Sequence, residues 1–307
     1  MACAVKSKQI HKPGPAIAGF FFMCMRKIVC IAGLGLVGGS MAIDLRKRGF
    51  ASHIIGVEEN PVHQRRSQEL GLVDEFASLE TAVRSADLVI LATPVDVVGQ
   101  LLPAVLDLTL GKPTVVTDTG STKSCIIDLI KDHPNRPQFV AGHPMAGTEY
   151  SGPDAASGGL FDQKCAIICD PHDSNPEAVA MVEEMYHVLQ MPVIRMEASQ
   201  HDVSAAYVSH ISHIVSFALS LCVQEKEKNE KRIMSLAGGG FASTVRLAAS
   251  KSSTWAPIFL ENATPVLEAL DAFMGYLQQF RNQIALDDRE KISQLIQQAN
   301  HMQKIIN

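Results

Sequence analysis

The sequence is poor in the features that mark several protein classes. It has no internal repeat and no low-complexity segment, which sets aside solenoids and disordered tracts. Lys and Arg gather into no basic run, and the net charge is −5, so there is no cationic field for a nucleic acid. Beyond the N-terminal residues no stretch reaches the roughly 18 uninterrupted apolar residues of a membrane helix. Seven cysteines, odd in number and without framework spacing, exclude a disulfide scaffold and fit a reducing cytoplasm. Cys165 and Cys169 lie four apart, but no second Cys/His pair accompanies them to complete a zinc site. They read as core thiols, and no metal is expected. What is present, 47% hydrophobic and 19% charged residues over a length of 307, is the composition of a soluble globular protein with room for two domains.

Residues 1–25 stand apart. Lys6, Lys8 and Lys12 precede a short apolar patch, Ala16 to Met25, broken by Gly19. The patch has the faint outline of a signal peptide, without a small-residue cleavage site before the strong strand at Lys27. Met25 offers an alternative start, and residues 1–25 are expected to form a disordered leader.

From Lys27 the chain alternates strand and helix patterns. Lys27 to Ala32 is a continuous apolar run, as in a buried parallel strand. It leads into Gly33-Leu34-Gly35-Leu36-Val37-Gly38-Gly39-Ser40 and then a helical stretch. This is G-x-G-x-x-G between a strand and a helix, where a dinucleotide-binding turn requires it. Gly33 permits the tight turn, Gly35 the approach of backbone to a pyrophosphate, and Gly38 the helix–strand packing. The helix N-terminus, beginning around Leu36 and Val37, offers free N–H groups to phosphate. The next strand, His53 to Val57, ends at Glu58, placed to accept bonds from the adenosine ribose and to repel a 2′-phosphate. The cofactor is therefore expected to be NAD rather than NADP; the alternative for Glu58 is a solvated turn carboxylate. Strand signals at 87–92 and 114–117 end in Thr93-Pro94 and in Asp118-Thr119-Gly120-Ser121-Thr122-Lys123. Thr93 and Pro94 are expected against the cofactor. Two more strands, 165–169 and 192–196, surround a helix at 177–189, so the alternation closes near Met196.

One histidine stands where chemistry is expected. Phe139-Val140-Ala141 runs into Gly142-His143-Pro144-Met145-Ala146-Gly147-Thr148-Glu149-Tyr150-Ser151-Gly152, a strand closed by Gly and Pro. Carboxyl ends of parallel strands face the ligand crevice, and an imidazole there can accept a proton near neutral pH. Ser121, after a neighbouring strand, either orients that imidazole, bonds the substrate, or caps the helix read at 123–131.

After Glu197 the pattern becomes purely helical. Residues 200–223 are apolar at helical spacing, and residues 287–306 form an amphipathic pattern. Gly238-Gly239-Gly240 reads as the one flexible break. His210 and His213, three apart, share a helix face. Arg246 sits among apolar residues, where it either snorkels to solvent or meets an anion, its fork matching a carboxylate. The architecture implied is an N-terminal Rossmann-like, doubly wound, mainly parallel α/β domain over 26–196 and an all-α domain over 197–307.

The motifs at 33–40, 118–123 and 142–152, the pairs His201-Asp202 and Ser209-His210 with His213, and Val245-Arg246-Leu247-Ala248 followed by Trp255 occur in this order. Together they resemble the prephenate dehydrogenase (arogenate dehydrogenase) family of tyrosine biosynthesis. The resemblance runs from about Arg26 to the C-terminus. It implies NAD-dependent oxidative decarboxylation of prephenate to 4-hydroxyphenylpyruvate and CO2. By that resemblance His143 takes the proton of the ring C4 hydroxyl while hydride leaves C4, and Ser121 orients the histidine and touches substrate. Arg246 and His213 would hold substrate carboxylate, with Thr148, Glu149 and His210 near the pocket. A homodimer packed through the helical domain is implied as well. Neither a chorismate mutase-like segment before the Rossmann core nor an ACT-like pattern after the last helix is read, so regulation through such a module is not expected. The alternatives are arogenate as substrate, a β-hydroxyacid dehydrogenase or imine reductase of the same fold class, and a non-catalytic NAD sensor.

Overall fold

The apolar runs of the first two thirds form one sheet in the computed structural model, which describes residues 27–230 and 232–302. The expected leader at 1–25, Ile305 and Ile306 lie outside the described residues. The strands are β1 (Lys27–Ala32), β2 (Ala51–Val57), β3 (Glu75–Phe76), β4 (Leu88–Leu91), β5 (Val115–Asp118), β6 (Phe139–Pro144), β7 (Ala166–Cys169) and β8 (Val193–Met196). Their order is β3-β2-β1-β4-β5-β6-β7-β8, and every pair is parallel except β6 with β7. The helices among them are α1 (Leu36–Lys47), α2 (Pro61–Glu69), α3 (Leu79–Ser85), α4 (Val95–Leu108), α5 (Ser124–Ile130) and α6 (Pro176–Val188).

The alternation of strand side chains explains why the strands are apolar throughout. Val29 and Ile31 of β1 pack with Met41 and Leu45 of α1 and Met185 of α6. Cys30 and Ala32 point the other way, toward Val83 of α3, Leu102 of α4 and Ile126 of α5. A sheet covered on both faces has no polar side to alternate with. Cys169 belongs to the second of these cores, where burial pushes its pKa up to about 12 and keeps it a thiol.

The helical half consists of α7 (Ala198–Ala205), α8 (Ile211–Asn229), α9 (Gly239–Val245), α10 (Ser252–Glu261), α11 (Ala263–Ala285) and α12 (Arg289–Asn300). A single π-helical stretch, Ala206–His210, joins α7 to α8 without a break. Two readings of the later helices change. The amphipathic pattern taken from Asp287 is α12, which starts at Arg289 because the Asp288 side chain accepts from the Lys291 N–H at 3.0 Å and caps it. The three glycines do not form the break: Gly238 is the N-cap of α9, and Gly239 and Gly240 are its first turn. The irregular chain precedes them.

Helix 198–229 holds an 18-residue window of mean hydropathy 1.5, enough by length and composition to cross a membrane. What interrupts its apolar run is His201, Asp202, His210 and His213, all buried. The helical half has little core of its own, centred on Ala206, Val266 and Ala269. It leaves Leu236, Leu260 and Leu286 more than 70% exposed, the surface of a subunit that associates. α7 packs on α5 and α10 on α4, which sets the helical half over the carboxyl ends of β1, β4, β5 and β6.

Candidate active site

Gly33 and Gly38 show the turn and the close packing their spacing predicts, and Gly35 faces open space. Gly33 turns at φ +92°, where a Cβ would lie 2.7 Å from the Ala92 carbonyl oxygen. A Cβ at Gly38 would run into the Gly33 carbonyl and stand 3.0 Å from the Ala92 Cβ and 3.1 Å from Ile31, so α1 can lie on β1 only without it. At Gly35 the nearest atom is Gly152 N at 4.0 Å; this side of the loop is open to a ligand. Gly38→Ala is expected to destabilise the protein by about 1–3 kcal/mol through overpacking and to weaken NAD binding, read as a lower Tm and a smaller Tm rise on adding NAD. An unchanged Tm would mean the loop relaxes freely.

The acidic residue of β2 is fixed beside this loop. Glu58 Oε2 accepts from the Leu34 N–H at 3.1 Å and Oε1 from the Asn60 N–H at 3.1 Å. Each oxygen keeps a lone pair for a ribose hydroxyl. Against the turn at Gly33, Thr93 Oγ1 is buried without a hydrogen-bond partner, and Pro94 is the N-cap of α4. An open glycine, an orphaned hydroxyl and a held carboxylate fit a dinucleotide whose ribose carries no 2′-phosphate.

These groups line a cleft of about 390 Å³ between the two halves. Leu36, Val37, Ser121, Thr148 and Glu149 line it as well, and Lys251 and Trp255 line it from the helical half. Arg246, 53% exposed, donates to Glu149 Oε2 at 2.5 Å. The anion it meets here is thus supplied by the histidine loop itself. The Glu149 carboxylate is held below its usual pKa by a backbone N–H first and by Arg246 second.

His143, 8% exposed at the end of β6, stands next to the cleft wall rather than in it; catalytic contacts commonly tighten only when substrate binds. Its Nδ1 is 2.8 Å from His201 Nε2, and His201 Nδ1 is 2.8 Å from Asp202 Oδ1. The partner of His143 Nδ1 is therefore His201 and not Ser121, as the sequence suggested. Nor does Ser121 cap α5. That helix begins at Ser124, one residue later than read, and Asp202 caps it, accepting from the Lys123 N–H at 2.9 Å and the Ser124 N–H at 2.8 Å. A carboxylate from the helical half reaches these amides because α7 lies directly on α5. Burial pushes the His143 pKa well below 6.5, with the neighbouring His201, Lys123 and His210 adding to it. His143 is a neutral imidazole at neutral pH. Burial raises the Asp202 pKa, but bonds from His201 and Ser124 outweigh it and keep the group ionised.

His210 and His213 do not act as a pair. His210 Nδ1 accepts from Asn262 Nδ2 at 3.1 Å, its Nε2 is buried without a partner, and burial and His201 lower its pKa to about 4. His213 donates from Nδ1 to the Ser209 carbonyl at 3.1 Å and stacks on Trp255 with ring centroids 3.3 Å apart, which leaves its Nε2 for a ligand. Burial lowers its pKa, against the Ser209 carbonyl, and Arg246 lowers it further.

Three groups escaped the sequence reading: Asp202, the role of His201, and the fully buried pair Lys123–Asp118. Lys123 Nζ also donates to the Gly142 carbonyl at 2.9 Å. The adjacency of His201 and Asp202 was the available signal; nothing in the spacing places either beside His143. No group of three metal-ligating side chains occurs among the described residues.

Comparison with known proteins gives a consistent result. Residues 41–194 match the family model "Prephenate dehydrogenase, nucleotide-binding domain", and residues 197–298 match "Prephenate dehydrogenase, dimerization domain". A cyclohexadienyl dehydrogenase of Zymomonas mobilis is 32% identical over 87% of this chain and 91% of its own length. A prephenate dehydrogenase of Bacillus subtilis is 30% identical over 87% of this chain and 73% of its own. The prephenate dehydrogenase from Aquifex aeolicus, solved in complex with hydroxyphenyl propionate and NAD+, superposes with a TM-score of 0.81 at 29% identity, covering 92% of this chain and 99% of that one. The Synechocystis arogenate dehydrogenase structure superposes at 0.73 with 28% identity, over 91% of this chain and 100% of that one.

Proposed function

The chain belongs to the prephenate dehydrogenase family, and from that premise we propose that it carries out the NAD-dependent oxidative decarboxylation of prephenate to 4-hydroxyphenylpyruvate and CO2 in tyrosine biosynthesis. The observation that supports this reading most is a buried, neutral His143 at the edge of a cleft that also holds the glycine loop and Glu58. Residues 26–196 are read as the NAD-binding domain and residues 197–307 as the substrate and dimerisation domain of a cytoplasmic homodimer. Neither a membrane nor a nucleic acid is part of this reading.

NAD, bound along Gly33, Gly35, Gly38, Glu58, Thr93 and Pro94, supplies the hydride acceptor. His143 accepts the hydrogen bond of the C4 hydroxyl at Nε2 and draws its proton as hydride leaves C4. Departure of the ring carboxylate as CO2 returns its bonding electrons to the ring, which becomes aromatic. His143 then gives the proton back to the phenolate oxygen, so the chemistry releases no net proton. Ser121, Thr148 and His210 lie around the reacting ring, while Arg246 and His213 hold substrate carboxylate. For Arg246 this means exchanging Glu149 for the substrate. Arg246→Ala is expected to raise KM by roughly ten- to a hundredfold, the loss of a charge-assisted hydrogen bond, with a smaller change in kcat. A KM within twofold of the parent's would leave Arg246 only its bond to Glu149.

The test of function is NADH formation by the purified protein with prephenate and with arogenate, each with NAD and with NADP. Turnover of prephenate with NAD is the expected result. Turnover of arogenate alone would keep the chemistry and change the substrate. No turnover with either would overturn the reading.

A further inference from the structure

We infer that Asp202 and His201 hold His143 in the one tautomer that leaves its Nε2 unprotonated, so that docking of the helical half onto the nucleotide half completes the base. The inference rests on the function proposed above for what that base does, but its own argument is one of donors and acceptors. Asp202 is ionised and accepts only, so the hydrogen shared with His201 belongs to His201 Nδ1. A neutral imidazole protonated at Nδ1 has a bare Nε2. In a neutral His201 that nitrogen, 2.8 Å from His143 Nδ1, accepts, and His143 then carries its hydrogen on Nδ1. The lone pair of His143 is left on Nε2.

Which nitrogen of a histidine is protonated is set by the bond the other one makes. Here that bond crosses between domains. His143 ends β6 in the nucleotide half, whereas His201 and Asp202 lie on α7 in the helical half. The relay is anchored at its far end, because Asp202 accepts from both the Lys123 and the Ser124 N–H. Asn262 Nδ2 binds the Asp202 carbonyl at 2.8 Å as well as His210, which ties the same turn to α11. All three members of the relay are at most 8% exposed, so water is a poor substitute for any of them. When His143 takes the substrate proton at Nε2, its Nδ1–H stays on His201, and the positive charge on the ring faces an acceptor that Asp202 polarises. No proton needs to travel along the chain.

Asp202 is a poor choice for mutation, since it also caps α5. His201 separates the two roles. His201→Gln keeps an acceptor oxygen near the place of Nε2, and His201→Leu keeps bulk but no acceptor. His201→Leu is expected to lower kcat by roughly tenfold or more with KM changed less than twofold, and His201→Gln to recover most of that loss. A direct readout needs no substrate: the imidazole ¹⁵N signals of the histidine-labelled protein, with His143 assigned by its absence from His143→Asn. The parent should show His143 protonated at Nδ1 and bare at Nε2, and His201→Leu a mixture of both forms. A parent protonated at Nε2 would overturn the inference, and so would equal kcat values for the Gln and Leu variants. Should the Leu variant fail to fold, the parent spectrum decides alone. Because that spectrum is read without turnover, an inactive protein would overturn the proposed function and leave this test standing.

Discussion

His143→Asn is expected to lower kcat by roughly 10²–10⁴-fold with KM little changed, the signature of a lost general base. The substitution isolates the base. An asparagine amide N–H falls near the position of Nδ1 and can still donate to His201 Nε2, so the interdomain bond survives and only Nε2 is removed. Binding of NAD should be unaltered, because no cofactor group in the cleft depends on His143. A variant that retains half of the parent kcat would show that proton removal is not assisted by this residue. The pH profile carries the same assignment. The base works when neutral, and its pKa is displaced downward, by burial first and then by His201, Lys123 and His210. The acid limb of kcat/KM should therefore lie below pH 6.5, the ordinary value for histidine, with no loss of activity on going from pH 8 to 7. A limb at 6.5 or above would mean that the site is wetter than its geometry indicates.

Much of the fold could be read from the sequence because it is written in local terms. Continuous apolar runs gave away strands buried on both faces, and the glycine motif carries its own structural context. The turn at Gly33 and the close packing at Gly38 follow from backbone space alone, which is why spacing is enough to read them. The exposed leucines of the helical half were harder to interpret: Leu260 on α10 and Leu286 after α11 fit a helical pattern equally well facing a core or a second subunit. In the site, legibility follows sequence distance. Glu58, Thr93 and Ser121 line the cleft, and their place there is legible because each follows a strand that ends at the crevice. The partner of His143 is not, because it lies 58 residues away on an element of the other half. Periodicity places His201 on a helix but does not say what that helix meets. Ser121 is a candidate for orienting the imidazole because it is near in the parallel-sheet topology, while His201 is near only after the domains have docked.

Lys123→Met should be the most destabilising single change at this site, by about 3–5 kcal/mol in urea unfolding, because it strips a buried carboxylate of the cation paired with it. Lys123 and Asp118 are both fully buried. Asp118 also accepts from the Gly120 N–H at 2.8 Å and the Gly142 N–H at 3.1 Å, while Lys123 reaches the Gly142 carbonyl. The pair thus grips Gly142 from both sides and fixes the backbone from which His143 projects. The variant leaves this buried carboxylate with its two backbone N–H bonds and no counter-ion, which lowers stability. Adding Asp118→Asn to Lys123→Met removes the stranded charge and should restore part of the loss, whereas an unchanged unfolding free energy in the single variant would show that water already reaches the pair. The same substitution has a sign in catalysis. Lys123 is one of the groups that lower the His143 pKa, so its removal lifts that pKa, and the acid limb of kcat/KM should move upward toward 6.5. A limb that stays in place while stability falls would make the pair a support for the turn alone. Movement of both would make Lys123 the residue that joins the stability of the carboxyl ends of β5 and β6 to the neutrality of the base.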